Sequence, residues 1–184
     1  MDQAAEYYRQ FLAGNEGALV SLIRQYGDGL MLYLNGIVGD LNVAEELTED
    51  TFLKLVLKKP RFSARSSFKT WLYTIGRNLA LDYLRRHRMS TVCLEDCPEI
   101  SDAEYDLERR YIQQENQIIL HHAMRKLKPE YRQVLWLVYF EGFSCGQVGK
   151  IMKRSEAASH TLVSRARQAL KQKLLEEDFD YENL

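Results

Sequence analysis

Apolar residues recur at spacings of three and four along nearly the whole 184-residue chain, and no stretch sustains a strict alternation of apolar and polar positions. The first spacing is typical of amphipathic helices, whereas alternation is typical of half-buried strands. The pattern therefore predicts an all-α protein. The three prolines stand where helices are expected to stop or begin, and Pro129 is expected in a first helical turn, where its missing N–H does no harm.

Interruptions of this pattern divide the chain into two small helical domains joined by a flexible acidic linker. We expect the N-terminal domain over 1–88, the linker over 89–116, the C-terminal domain over 117–176 and an acidic tail over 177–184. Helical domains of roughly 60 to 90 residues bury only a modest fraction of their surface. Each domain is therefore expected to be marginally stable without a partner.

The stretch FKTWLYTIGRNLALDYLRRHR, residues 68–88, is predicted to form one continuous helix. At about 100° per residue, Trp71 lies at the edge of the apolar stripe and Arg77 almost opposite the stripe. Asn78 and Asp82 form a polar ridge beside Trp71. The stripe itself is expected to be core and comprises Phe68, Leu72, Ile75, Leu79 and Tyr83.

Asparagine is a poor former of helix interiors, so Asn78 calls for an explanation. Its amide could hydrogen-bond a base edge while a neighbouring aromatic ring stacks on nucleic acid. Alternatively, Asn78 merely pairs with Asp82 one turn further along. Arg85 and Arg86 follow in the last turn, where positive charge also favours the helix macrodipole, so they do not decide between the two interpretations.

The sequence from Pro129 onward predicts three helices, of which the first ends at about Phe140. Ser144 is a candidate N-cap for a short second helix, and Ser155 for a third helix that begins at Glu156. A short helix, a tight turn and a longer helix with a polar, basic outer face are typical of a helix-turn-helix, whose second helix enters the major groove. A helical hairpin in an interaction domain would look similar.

In the third helix, periodicity separates an inward from an outward face. The inward stripe comprises Leu162, Val163, Ala166, Leu170 and Leu174, and the outward residues are His160, Thr161, Ser164, Gln168 and Lys171, flanked by Arg165 and Arg167.

The net charge of −1 conceals a strong partition of charge along the chain. Residues 58–88 hold nine Lys or Arg and one acid, and residues 124–173 hold eleven against three. Between them, residues 89–116 hold eight acids and two arginines. Two basic modules around an acidic spacer predict two contacts with a polyanion, because neutralised phosphates release counterions. Solvated helix faces are the alternative explanation of such charge blocks.

Cysteine usage favours a reducing compartment, since Cys93, Cys97 and Cys145 are too few for a disulfide framework. Cys93 and Cys97 with nearby histidines would make half a zinc site, but zinc sites more often use two-residue cysteine spacing, so we expect free thiols. No segment has the apolar length of a membrane span, and no leader pattern opens the sequence. We therefore expect a soluble, cytoplasmic protein without metal or cofactor.

Four stretches carry a family resemblance: VAEELTEDTFLKL (43–55), SSFKTWLYTIGRNLALDYLRR (66–86), LKPEYRQVLWLVYFEGFS (127–144) and SEAASHTLVSRARQAL (155–170). In this order, they resemble the polymerase-binding helix, the promoter-melting helix and the helix-turn-helix of bacterial RNA polymerase sigma factors of the extracytoplasmic-function (ECF) group, in the sigma-70 family. The resemblance covers nearly the whole chain. It implies sigma region 2 in the N-terminal domain and sigma region 4 in the C-terminal domain.

The chain departs from the usual family pattern at three places. ELTED at 46–50 stands where Asp-Leu-x-Gln-Glu is common, which keeps the negative charge but loses the amide. QVG at 147–149 stands where Glu-Ile-Ala is common, and glycine in a short helix costs about 1 kcal/mol relative to alanine. His160 and Leu162 occupy positions where Lys or Arg is frequent, so the resemblance does not imply the upstream sequence preference.

The resemblance implies a protein without a catalytic site that binds core RNA polymerase, places two domains on promoter DNA and helps to open the duplex. The implied minus-ten residues are Phe62, Ser63, Arg65, Ser67, Trp71, Arg77, Asn78, Asp82, Arg85 and Arg86. The implied minus-thirty-five residues are Ser155, Glu156, His160, Thr161, Ser164, Arg165 and Arg167. The implied polymerase-binding residues are Glu45, Glu46, Glu49, Asp50 and Phe52.

The resemblance further implies that Asn78 and the loop before its helix capture a base flipped out of the non-template strand. The acidic linker threads toward the RNA path, and an anti-sigma protein is a further candidate partner, as in many relatives. The main alternative is a one-component transcriptional regulator, which accounts for the helix-turn-helix but not for the loop and helix around Asn78. An enzyme is least expected, because the sequence offers no phosphate-binding glycine loop and no paired catalytic residues.

Overall fold

The computed structural model describes residues 2–88, 120 and 122–176, and every regular element within them is helical, which confirms the all-α prediction. The segments predicted to be linker and tail, with Cys93 and Cys97, lie outside the described residues. The N-terminal domain contains α1 (Gln3–Leu12), α2 (Glu16–Val38), α3 (Leu41–Lys58) and α4 (Phe68–Arg88). The C-terminal domain contains α5 (Pro129–Leu135), a π-helical turn (Trp136–Phe140), α6 (Cys145–Met152) and α7 (Glu156–Glu176).

Carboxylate side chains accept hydrogen bonds at the starts of α1, α3 and α4. Asp40 caps α3 through its side chain. Asp2 serves two helices at once: its Oδ1 accepts hydrogen bonds from the amides of Ala4 and Ala5 in α1, and its Oδ2 accepts one from the amide of Phe68 at 2.6 Å. The start of α4 is therefore tied to the start of α1.

Helix α4 is buried on more than one side, which differs from the single stripe predicted. Phe68 and Leu72 are fully buried as expected, whereas Ile75, Leu79 and Tyr83 are only partly buried. The reason is that α4 packs against α1, α2 and α3 within its own domain and also against α6 of the other domain. Its further buried residues are Thr70, Tyr73, Gly76 and Ala80.

The predicted helix-turn-helix is formed by α6, a tight turn and α7. The Ser144 hydroxyl accepts from the Gln147 amide (3.3 Å) and the Gln147 side-chain oxygen accepts from the Ser144 amide (2.9 Å), a capping box that starts α6. The Ser155 hydroxyl accepts from the Ala158 amide (3.1 Å) and starts α7. Both predicted N-caps are confirmed.

Gly149 has a steric role in this turn that helix propensity does not reveal. A Cβ at this position would lie 2.7 Å from the carbonyl oxygen of Arg154 and 3.3 Å from the Ser159 hydroxyl. Lys153 turns the chain with a left-handed φ of 56°. The turn therefore approaches α6 so closely that only glycine fits without a backbone shift.

The two domains pack against each other over one continuous apolar core. Helix α4 contacts α6, and α2 contacts α5. At the centre of the interface, the rings of Tyr73 and Phe143 meet edge to face with 5.1 Å between centroids. None of the helices described above is long and apolar enough to cross a membrane.

Candidate nucleic-acid interface

The basic loop, residues 59–67, joins α3 to α4 and is supported from inside by aromatic rings. The Tyr8 hydroxyl donates to the Pro60 carbonyl oxygen at 2.7 Å, and burial raises the pKa of Tyr8 to about 12, so the hydroxyl stays a donor at ordinary pH. Phe62 packs on Phe68 and Trp71, with 5.8 and 5.3 Å between ring centroids. Phe62 and Trp71 thus act as half-buried supports beneath the loop.

The outer side of the basic loop presents polar and positively charged residues to solvent. Arg61, Ser63 and Arg65 are exposed. Ser67 differs, because its hydroxyl accepts from the Thr70 amide (3.2 Å) and also lies 2.8 Å from the Thr70 hydroxyl. Ser67 therefore caps α4, a structural role that the sequence analysis did not assign to it.

Asn78 and Asp82, on the polar ridge of α4, do not form the pair that the structural alternative for Asn78 requires. Asp82 accepts a hydrogen bond from Arg85 and none from Asn78. Within residues 2–88 and 122–176, the half-buried Asn78 side chain makes no hydrogen bond. Its amide is therefore available to a ligand, with Arg85 and Arg86 exposed nearby on the last turns.

Arg77 lies almost opposite the predicted apolar stripe of α4, and on that side of the helix it faces the C-terminal domain. Its Nε donates to the Gln133 side-chain oxygen on α5 at 3.2 Å. Burial raises the pKa of the neighbouring Tyr33, an effect that the positive charge of Arg77 partly opposes. Arg77 is therefore held between the domains.

The outward face of α7 is open to solvent, as predicted. Leu162 and Ala166 are buried beneath it, and Ser159 joins them, with its hydroxyl donating to the Ser155 carbonyl oxygen (3.0 Å). In the described part of the chain neither Arg165 nor Arg167 forms an ion pair, so both can contact phosphates or bases. The exposed predicted residues are Ser155, Glu156, His160, Thr161, Ser164, Arg165 and Arg167.

The predicted polymerase-binding residues of α3 divide into two groups. Glu45, Glu46, Glu49 and Asp50 are exposed. Phe52, in contrast, is only 5% exposed and belongs to the core, which corrects its predicted contact with polymerase. The physical reason is that position 52 lies one helical turn from the buried Thr48 and Leu55 and therefore shares their side of α3.

Two leucines of α3 were missed by the sequence analysis. Leu53 is 48% exposed and Leu57 72% exposed, which is unusual for large apolar side chains. They follow Glu46, Glu49 and Asp50 at spacings of three, four and seven residues, so all five share one face of α3. Helical spacing was the signal that could have found them. We call these five residues the acidic-apolar face.

Side chains of α6 cover part of the basic loop. The side-chain nitrogen of Gln147, Nε2, donates to the Ser67 hydroxyl (3.3 Å), and the Lys150 ammonium donates to the Arg65 carbonyl oxygen (3.0 Å). The predicted minus-ten surface is therefore partly covered by the first helix of the helix-turn-helix. This relation between the two domains was not predicted.

The described residues contain no cluster of His, Cys, Asp and Glu that could hold a metal ion. Cys145, at the start of α6, is a free thiol.

Comparisons with known proteins match both domains. A family model described as Sigma-70 region 2 matches residues 22–89, and one described as Sigma-70, region 4 matches residues 117–170. The chain is 30% identical over 156 residues to the ECF RNA polymerase sigma factor BldN of Streptomyces coelicolor, and the match covers 84% of this chain but only 59% of BldN. It is 28% identical over 159 residues to the RNA polymerase sigma factor YlaC of Bacillus subtilis, covering 85% of this chain and 92% of YlaC.

The fold is also similar to a solved structure, that of the sigma factor RpoE from Bartonella quintana in complex with the anti-sigma factor NepR. The TM-score is 0.65 at 22% identity, and the match covers 84% of this chain and 94% of RpoE.

Proposed function

Because the chain belongs to the ECF group of the sigma-70 family, we propose that it acts as a promoter-specificity subunit of bacterial RNA polymerase. It binds core polymerase in the cytoplasm, reads the minus-thirty-five element with α7 and the minus-ten element with the basic loop and α4, and performs no catalysis of its own. The observation that carries this function is the presence of two DNA-compatible surfaces and the acidic-apolar face in one chain.

The minus-ten role is supported by the available amide of Asn78 on α4 and by the exposed cations of the basic loop. Flipping a base out of the duplex costs a few kcal/mol, which contacts to the flipped base have to offset. Asn78 would hydrogen-bond the base edge, while Phe62 and Trp71 hold the loop in shape from below. Arg65 and Arg85 would neutralise phosphates on either side.

The minus-thirty-five role is supported by the open face of α7. Arg165 is exposed and has no ion pair within the described residues, and an arginine in this setting can make a bidentate contact with guanine. His160, Thr161 and Ser164 lie on the same exposed face. They would supply further contacts to bases or phosphates.

The polymerase contact is assigned to the acidic-apolar face. Exposed leucines flanked by carboxylates form a small apolar patch with a charged rim, which is the usual composition of a protein interface. Leu53 and Leu57 would be the anchors, and the acids would steer the encounter with a basic surface. An anti-sigma protein is a second proposed partner, in line with the complex of the structurally similar RpoE.

Transcription mapping with purified core polymerase on genomic DNA tests this function. We expect new start sites that share two upstream elements, together with co-purification of the chain with core polymerase. The one-component regulator makes the opposite prediction: it would bind DNA without joining core polymerase and would initiate nothing on its own.

A further inference from the structure

The C-terminal domain has an open apolar groove of about 680 Å³ between α7 and the π-helical turn. Its lining is mostly apolar and includes Leu135, Phe140 and Leu174. Tyr139 lines the same groove, and 56% of its surface is exposed. A concave apolar surface with a few polar groups is the usual composition of a binding site. The groove is therefore suited to receive apolar side chains.

Helix α7 forms one wall of the groove and adds positive charge to it. Arg167, Gln168 and Lys171 line the groove from α7, and all three are exposed. Leu175 is 55% exposed and follows Gln168 and Lys171 at spacings of seven and four residues, so it extends this wall toward the end of the helix. The groove therefore suits an occupant that combines apolar and negatively charged side chains.

The acidic tail, residues 177–184, follows α7 in the sequence and has this composition. It reads EDFDYENL, with four acids, no Lys or Arg, and the rings of Phe179 and Tyr181. Successive side chains of an extended backbone point to opposite sides. In an extended tail the two rings would therefore lie on one side, and the three acids that flank them on the other. The rings would enter the groove and leave carboxylates at its mouth, beside Arg167.

The acidic tail is also long enough to reach the groove. Leu174 lines the groove only two residues before α7 ends at Glu176. From Arg167 to Leu174 the groove follows seven residues of helix, or about 10 Å at 1.5 Å per residue. Eight extended residues span at most about 26 Å. The tail can therefore reverse direction after α7 and still cover the groove.

We propose that the acidic tail of the same chain occupies this groove, with the rings of Phe179 and Tyr181 inserted and its carboxylates beside Arg167. Arg167 also belongs to the exposed face of α7 assigned to the minus-thirty-five element, so the docked tail competes with DNA for this arginine. The competition rests on the proposed function, whereas the docking does not. Because an attached segment acts at a millimolar effective concentration, even a weak contact fills the groove.

The first measurement is binding of a fluorescein-labelled EDFDYENL peptide, followed by fluorescence anisotropy. The full chain with Phe179→Ser and Tyr181→Ser, which we call the released chain, should bind this peptide at least about tenfold more tightly than the wild type, whose own tail fills the groove. A peptide with the same two serine substitutions should bind neither chain. Equal binding to both chains, which would leave the groove to a separate partner, or no binding to either would overturn the docking.

A matched pair of variants tests whether the peptide binds in the groove. Gln168 lines the groove, whereas Gln172, one turn further along α7, is exposed and does not line it. In the released chain, Gln168→Glu should weaken peptide binding, because the new carboxylate repels the acids of the peptide. Gln172→Glu adds the same charge outside the groove and should have a much smaller effect. Equal losses would contradict the proposal, and unfolding is not expected from substitutions at exposed positions.

The second measurement is binding of a fluorescein-labelled DNA duplex of random sequence across a salt series. The released chain has the net charge of the wild type but should bind more tightly, with a salt slope steeper by about 0.9, the increment for one phosphate of duplex DNA. Adding Arg167→Gln should abolish this gain. Adding Lys173→Gln, which removes a charge already paired with Glu176, should preserve it.

Equal slopes for the wild type and the released chain would refute the competition with DNA. Both measurements use no polymerase. A wild-type chain that failed to initiate with core polymerase would therefore refute the proposed function and leave the docking of the tail in place.

Discussion

The outward face of α7 and the minus-ten side of α4 are both basic, yet one is open and the other is partly covered. Arg165 faces solvent, whereas Ser67, Lys69 and Arg77 are all engaged by side chains of the C-terminal domain. The covering side chains are Gln133 on α5, Glu141 and, on α6, Gln147. Helix α6 belongs to the same helix-turn-helix as the open face. The C-terminal domain therefore exposes its own proposed DNA surface and covers part of the proposed DNA surface of the N-terminal domain. We expect the two promoter contacts to form in separate steps.

The largest effect is expected from weakening the proposed contact with core polymerase. Reversing Glu46 and Glu49 to Lys should weaken binding to core polymerase by several kcal/mol, because like charges then meet across the interface. Helicity should be unchanged, since exposed acids contribute little to folding. A binding titration against core polymerase measures the loss, with reversal of Glu16 and Asp28 on α2 as the matched control. Full affinity in the test variant would place the interface elsewhere.

The next largest effect is expected from a substitution beside the turn between α6 and α7, which positions the open face. Gly149→Ala should destabilise the chain by about 1 to 3 kcal/mol, because the added methyl group meets the Arg154 carbonyl oxygen. Gly146→Ala on the same helix is the control, since its Cβ would make only ordinary contacts at 3.4 Å with the Glu156 carboxylate. Urea unfolding followed by circular dichroism compares them. Gly149→Ala at or above wild-type stability would show that propensity outweighs the close approach.

A third change tests the base contact proposed for Arg165 on the open face of α7. Arg165→Ala should lose about 1 to 3 kcal/mol of promoter binding and relax the preference at one upstream position, if the guanidinium contacts a base. Lys173→Ala alters the same charge on the same helix at a residue already paired with Glu176, and should have little effect. Binding of the complete polymerase complex to a promoter library measures both quantities. Equal losses for the two variants would argue for a general charge effect.

The smallest effect is expected from a change at Asn78, on the minus-ten side of α4. Asn78→Ala should leave duplex capture nearly intact and impair promoter opening by about 0.5 to 1.5 kcal/mol, the usual contribution of one hydrogen bond. A template already unpaired at the minus-ten region should recover part of the activity, because unstacking is no longer required. Single-round transcription on both templates is the measurement. The same defect on both templates would return Asn78 to a structural role.

Much of the local structure could be predicted because its causes are local. Ser144 and Ser155 cap helices through residues three positions away, and the buried Leu162 and Ala166 follow helical spacing. Phe52 and Leu53 were predictable by the same spacing, had it been applied to the whole of α3 rather than to its charges.

The packing of the domains was not predictable in this way. Lys69 and Glu141 are 72 residues apart in sequence, and Tyr73 is buried by a ring from the other domain. No periodicity within α4 distinguishes a side chain that meets solvent from one that meets a second domain. The steric need for Gly149 is likewise set by a carbonyl oxygen beyond the end of its helix, where propensity gives the opposite expectation.

The double capping by Asp2 has a practical consequence for handling the protein. A single carboxylate near the beginning of the described chain fixes the first turns of both α1 and α4, and Tyr8 in α1 holds the basic loop through Pro60. An affinity tag fused directly ahead of Asp2 would therefore lie beside the surface proposed to melt promoters. Purification through the opposite end of the chain is the safer choice for any assay of DNA opening.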